Sequence, residues 1–266
     1  MLPALLLLLQ TAPAEAPVPI LGPTPAPVAP PVAPAIDPQV RLNDCLALAT
    51  NSPKLGEMTA ARWRSEGGGY RAKQCLGVAY ANQQRWDSAA GAFEDAARES
   101  ETSKAARSEE MWAQAGNAWL AAGDPLKARR ALDAALVTGN LTGQALGEVH
   151  LDRARARVAE RDLEGARSDI DRALGEAPSD PLAWLLSAAL ARREDNKARA
   201  AKDITEALRL SPDDPSVHLE EGLIAGWVGE NTAARAAFAR VIELAPGTPL
   251  ADQARSWLGK LGAGQN

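Results

Sequence analysis

From residue 70 to 246 the small and apolar residues fall into four columns that recur five times. A small residue (Gly77, Gly116, Ala154, Ala188, Gly222) is followed twelve positions later by alanine (Ala89, Ala128, Ala166, Ala200, Ala234). Four further on stands a bulky apolar residue (Phe93, Leu132, Ile170, Ile204, Phe238), and three after that Ala or Val (Ala96, Ala135, Ala173, Ala207, Val241). Successive copies start 39, 38, 34 and 34 residues apart. Each unit reads as two short antiparallel helices, too small to bury an apolar face alone, so neighbours must stack and the fold class is all-α. Small residues such as Gly116 and Ala128 let helices approach at the near end of the usual ~8–10 Å separation, and the bulky column fills the gap. Asp124-Pro125, Asp180-Pro181 and Asp214-Pro215 each put a capping carboxylate before a proline at the first helical position, and Thr248-Pro249 does the same for a final helix.

The two long spacings have local causes. Residues 97–110, ARESETSKAARSEE, favour an extended second helix or a longer link, and TGNLTGQALG before Glu148 predicts a loop with a helical restart near Gln144. Two further helical stretches, 39–50 and 53–65, precede the repeats and end at Gly67-Gly68-Gly69; they read as a degenerate capping pair. At the other end Leu250, Ala254, Trp257, Leu258 and Leu261 lie at helical spacing over 249–261, as expected of a helix that closes the open end of a stack.

A 34-residue period carrying Leu76-Gly77 with Tyr80, Trp112 with Gly116 and Trp119, Trp184, and closing prolines at Pro178, Pro212 and Pro246 resembles the tetratricopeptide repeat. That resemblance implies a right-handed α-solenoid that binds another protein or peptide in a concave groove lined by the first helices. Along the chain as a whole the expected organisation is an export signal at 1–14, a proline-rich linker at 15–38, a capping pair at 39–69, repeats at about 70–108, 109–146, 147–180, 181–214 and 215–248, and a capping helix with tail at 249–266. The groove positions implied by the resemblance include Asn117, Arg155, Leu185, Arg192, Leu219, Leu223 and nearby Trp227. The family's Lys, Asn and Arg clamp on a terminal carboxylate is not reproduced, Asn117 being the one matching residue type. Leucine at these spacings also reads as plain packing between first helices.

Composition narrows the class. A net charge of −5 argues against a nucleic-acid partner. Residues 2–9 are leucine and alanine with one proline, and Ala12-Pro13-Ala14 has the form of a signal-peptidase site, so export to the periplasm is expected, with membrane association if the leader is retained. The apolar run is far too short for a transmembrane span. Proline, alanine and valine dominate the next segment and hold it extended. Cys45 and Cys75, the chain's two cysteines, read as a disulfide in an exported protein, the alternative being two buried thiols facing one interface. Both histidines, His150 and His218, stand four residues before the small residue of their own repeats, where this chain elsewhere has Trp112 and Trp184; they read as packing residues. No phosphate loop, nucleophile elbow, zinc or haem motif is present, and no cofactor, metal site or catalytic residue is expected. A non-catalytic interaction scaffold is therefore expected, with a self-assembling envelope protein as the alternative and an enzyme as the remoter one.

Overall fold

The computed structural model describes residues 36–103 and 107–263. The chain divides into two units, Met1–Ile36 and Asp37–Asn266; the architecture below is that of the second, and the leader and the linker through residue 35 lie outside the described residues. Among the described residues there are thirteen helices and no strand. They are α1 (Pro38–Asn51), α2 (Pro53–Ser65), α3 (Gly69–Asn82), α4 (Trp86–Thr102), α5 (Ser108–Ala122), α6 (Pro125–Val137) and α7 (Gly143–Ala159). The remainder are α8 (Leu163–Glu176), α9 (Pro181–Arg193), α10 (Lys197–Leu210), α11 (Pro215–Val228), α12 (Asn231–Leu244) and α13 (Pro249–Ala263). Each helix packs on the next in sequence, and odd-numbered helices also meet one another at α1–α3, α5–α7, α9–α11 and α11–α13. The long first spacing is taken up by the 17-residue α4, and α7 restarts at Gly143 after the glycine-containing loop.

The columns are explained by what faces what. A methyl carbon placed on Gly222 would stand 2.5 Å from Phe238 Cε1; on Gly116, 2.5 Å from Leu132 Cγ; on Gly77, 2.6 Å from the Phe93 ring. First and third columns therefore meet inside each helix pair. Glycine stands opposite Phe or Leu, and alanine (Ala154, Ala188) opposite the smaller-reaching Ile170 and Ile204. Gly222→Ala is expected to destabilise by ~1–3 kcal/mol through overpacking, and Phe238→Ile in the same chain should recover part of that loss. Urea titration of the two single variants and the double variant measures the coupling.

A further column lies seven positions after the small residue, where the chain turns from first to second helix. Gln84, Gly123, Arg161, Asp195 and Gly229 all adopt positive φ, between 57° and 89°. Glycine is free of the steric cost there and the other three residue types are not. Arg161→Gly is expected to raise stability by ~0.5–1 kcal/mol, seen as a higher urea midpoint with an unchanged slope. Helix starts follow the predicted capping: Asp124, Asp180 and Asp214 accept backbone N–H bonds at 3.0, 2.9 and 2.7 Å, and Thr248 Oγ1 accepts from Ala251 at 3.3 Å. Cys45 and Cys75, both buried, form a disulfide that ties α1 to α3.

Candidate partner-binding groove

Position +1 after the small residue is Arg155, Ala189 or Leu223 in α7, α9 and α11; +4 is Val158, Arg192 or Gly226; +5 in α9 and α11 is Arg193 or Trp227. These equivalent positions line two clefts on the first-helix face. The smaller, about 200 Å³, lies between α7 and α9 and is bounded by Arg155, Val158, Leu186, Ala189 and Arg193. The larger, about 610 Å³, lies between α11 and α13 and is bounded by Arg192, Leu223, Gly226, Trp227, Trp257 and Lys260. Trp257 stacks on Phe238 with ring centroids 6.5 Å apart, and Lys260 Nζ lies 4.0 Å over the Trp257 ring. Lys197 Nζ sits 5.4 Å from the Trp227 centroid. The walls are aromatic and aliphatic, and the charged groups on them are cations.

The structure sorts the residues expected from sequence. Leu223 and Trp227 are half-buried at the larger cleft. Arg192 reaches the same cleft, but its guanidinium donates to both carboxylate oxygens of Glu220 at 2.6 and 3.1 Å. Arg155 lines the smaller cleft and pairs with Asp152 at 3.0 Å. Asn117 on α5 borders neither cleft; its side chain hydrogen-bonds Asp152, whose carboxyl burial pushes above the ordinary carboxylate range in spite of Arg155 and Asn117. Leu219, at 9 % exposure, packs in the core around Phe238, Val241 and Ala254 and lines neither cleft, the packing alternative for leucine at this spacing. Leu185 likewise packs against the Ala188, Ile204 and Val217 cluster. Three positions before the small residue, the side chain turns toward the neighbouring helix. Arg193 and Lys260 are not marked by the sequence pattern, although Arg193 shares its register with Trp227, and Trp257, expected only as part of the closing helix, also lines the larger cleft.

Behind this face a buried polar network joins the repeats. The Asp169 carboxylate, 1 % exposed, accepts from Arg153 Nε at 2.9 Å and Nη2 at 2.6 Å and is bonded to His150 Nδ1 at 3.0 Å. Arg157 lies 3.3 Å away, and Arg153 reaches across to Asp133 of α6 at 2.8 Å. Burial alone would raise the Asp169 pKa; the bonds from His150 and Arg153 and the charge of Arg157 outweigh it and hold the group below its ordinary value. One repeat on, in the same register, buried Asp203 accepts from Ser187 at 2.5 Å and Arg199 at 3.1 Å. His218 Nε2 donates to the Pro212 carbonyl at 2.8 Å, as Trp184 Nε1 donates to Pro178 at 2.9 Å one repeat earlier. His218 thus does the work of a repeat tryptophan. Among the described residues no group of three or more His, Cys, Asp or Glu side chains could hold a metal ion, and no helix is long and apolar enough to cross a membrane.

The family profile described as "Tetratricopeptide repeat" matches residues 151–215, from within α7 to the first residue of α11. The fold is a tetratricopeptide-repeat solenoid. Solved structures agree across most of the chain. PilW, described as a widely conserved type IV pilus biogenesis factor, superimposes with a TM-score of 0.69 at 14 % identity, covering 81 % of this chain and 97 % of its own. A chain of the APC/C hetero-tetramer Cut9–Hcn1 gives 0.64 at 15 % identity over 84 % of this chain, which spans only 45 % of that longer protein. YrrB, described as a tetratricopeptide-repeat protein with an unusual peptide-binding site, gives 0.53 at 13 % identity over 74 % of this chain and 96 % of its own. At such identities the likeness is one of fold. No curated protein matches the sequence.

Proposed function

We propose that this solenoid is a non-catalytic scaffold that binds a segment of a partner protein on the face formed by α7, α9, α11 and α13, and that it does so in the periplasm or at the envelope of the cell. The observation that carries the reading is the cleft between α11 and α13. Leu223 and Trp227 of α11 and Trp257 of α13 present partly exposed apolar surface there, at the carboxyl-terminal end of the stack. Amphipathic segments dock in such grooves by burying apolar anchors. The peptide-binding site attributed to YrrB supports a peptide-sized ligand, and the structural roles of the two histidines, His150 in the buried Asp169 network and His218 in a repeat tryptophan's place, support a scaffold over an enzyme. Export is supported by the leucine-rich start and by the buried Cys45–Cys75 pair, a bond suited to an oxidising compartment. Leu223→Glu is expected to abolish capture of specific partners from extracts of the source cells while leaving the helical circular dichroism intact. An unchanged set of captured proteins would refute the groove, and recovery of the chain in the cytoplasmic fraction would refute the location.

One observation favours a second reading, self-assembly through the amino-terminal end. Val40, Leu55 and Met58 on α1 and α2 are 51, 49 and 68 % exposed, where a terminal repeat ordinarily presents a polar face. A size that grows with concentration in light scattering would support it, and a constant monomer mass would dispose of it.

A further inference from the structure

Four cations line the two clefts, and two of them are already neutralised. Arg155 is paired with Asp152 and Arg192 with Glu220. Arg193 in the smaller cleft and Lys260 in the larger have no carboxylate partner among the described residues, and no Asp or Glu lines either cleft. Lys260 is held instead over the face of Trp257 at 4.0 Å, which fixes its position without cancelling its charge. Each cleft therefore combines apolar walls with one uncompensated positive charge, on a chain whose net charge is −5. An excess of one sign in an apolar depression selects a ligand of the opposite sign and steers its approach.

Resting on the reading that this face binds a protein segment, we infer that the segment is acidic and apolar. It carries one apolar anchor for each cleft, each next to an Asp or Glu, and Arg193 and Lys260 receive those carboxylates, whereas Arg155 and Arg192 do not. The clefts lie two first-helix spacings apart, roughly 16–20 Å. An extended chain of about five or six residues spans that distance, and a helix needs about three turns. Arg192 instead ties α9 to α11 through Glu220, and Arg155 is occupied by Asp152 on its own helix.

The test is selection of a phage library of random peptides, about 16 residues long and so able to reach both clefts in either conformation, on the full chain. Selected binders are expected to be rich in Asp or Glu beside Leu, Phe or Trp. For a synthetic peptide of the selected sequence, Arg193→Gln and Lys260→Gln should each weaken binding about three- to fivefold, the magnitude of an exposed ion pair, and both losses should shrink as salt is raised. Arg155→Gln should leave affinity within about twofold, its charge being already paired. Groove binders that are basic or uncharged, or acidic binders indifferent to both Arg193→Gln and Lys260→Gln, would overturn the inference and leave the groove standing. Failure to select any peptide that Leu223→Glu abolishes would overturn the groove reading itself.

Discussion

Asp169→Ala is expected to destabilise the protein by ~3–5 kcal/mol, because it leaves buried cations without their partner. The Arg153 side chain is only 11 % exposed and would keep a single ion pair, to Asp133, while His150 would lose the bond to its Nδ1. Chemical denaturation gives the size of the loss, and hydrogen exchange its place: protection should fall most in α7 and α8, since stability in a solenoid is local to a repeat and its neighbours. The same carboxylate sets a pH dependence. Its folded pKa lies below the unfolded value, so its contribution is complete above about pH 4 and disappears as pH falls through the depressed folded value. Wild-type stability should therefore drop in acid more steeply than that of Asp169→Ala. Equal acid sensitivity in the two proteins would show that the network contributes nothing.

Loss of the Cys45–Cys75 bond is the second large effect. The bridge closes a loop with a sequence separation of 30, and in the chain-entropy treatment a loop of that size is worth ~3–4 kcal/mol. Paired Cys45→Ala and Cys75→Ala substitutions, or a reductant, should lower the urea midpoint and free α1 and α2 for hydrogen exchange before the rest of the solenoid. The C-terminal clefts are far along the stack and should bind as before. A reductant that leaves both midpoint and exchange unchanged would show that the bridge does not staple the cap.

The repeat architecture was legible in the sequence because packing forces a small residue and a bulky one to the same two offsets in every copy. The Asp-Pro starts were legible for a local reason, a carboxylate that accepts a backbone N–H two or three residues on. Less visible was the pairing within the columns, Gly with Phe or Leu and Ala with Ile, which becomes meaningful only when the two helices are seen face to face. The left-handed turn column escaped because Gln84, Arg161 and Asp195 disguise a conformation that glycine marks at Gly123 and Gly229. The lining of the clefts was legible only in part. Register brings Leu223 and Trp227 to the wall of one cleft, but it does not tell that Leu219 turns into the core, that Glu220 occupies Arg192, or that the last helix contributes Trp257 and Lys260 as a wall. Those facts depend on contacts between repeats, and a single-chain pattern carries no phase between one repeat's charge and the next.

The most direct measurement of the functional claim is site-specific photocrosslinking in the source cells. A photoreactive residue is placed singly at 223 or 227 in the groove, and at Thr205 or Glu176, which are exposed on the second helices α10 and α8. Mass spectrometry then identifies the adducts. The account predicts one recurrent protein adduct from positions 223 and 227, with contact residues that include Asp or Glu beside apolar side chains, and none from 205 or 176. Adducts from the second-helix positions with none from the groove would contradict it.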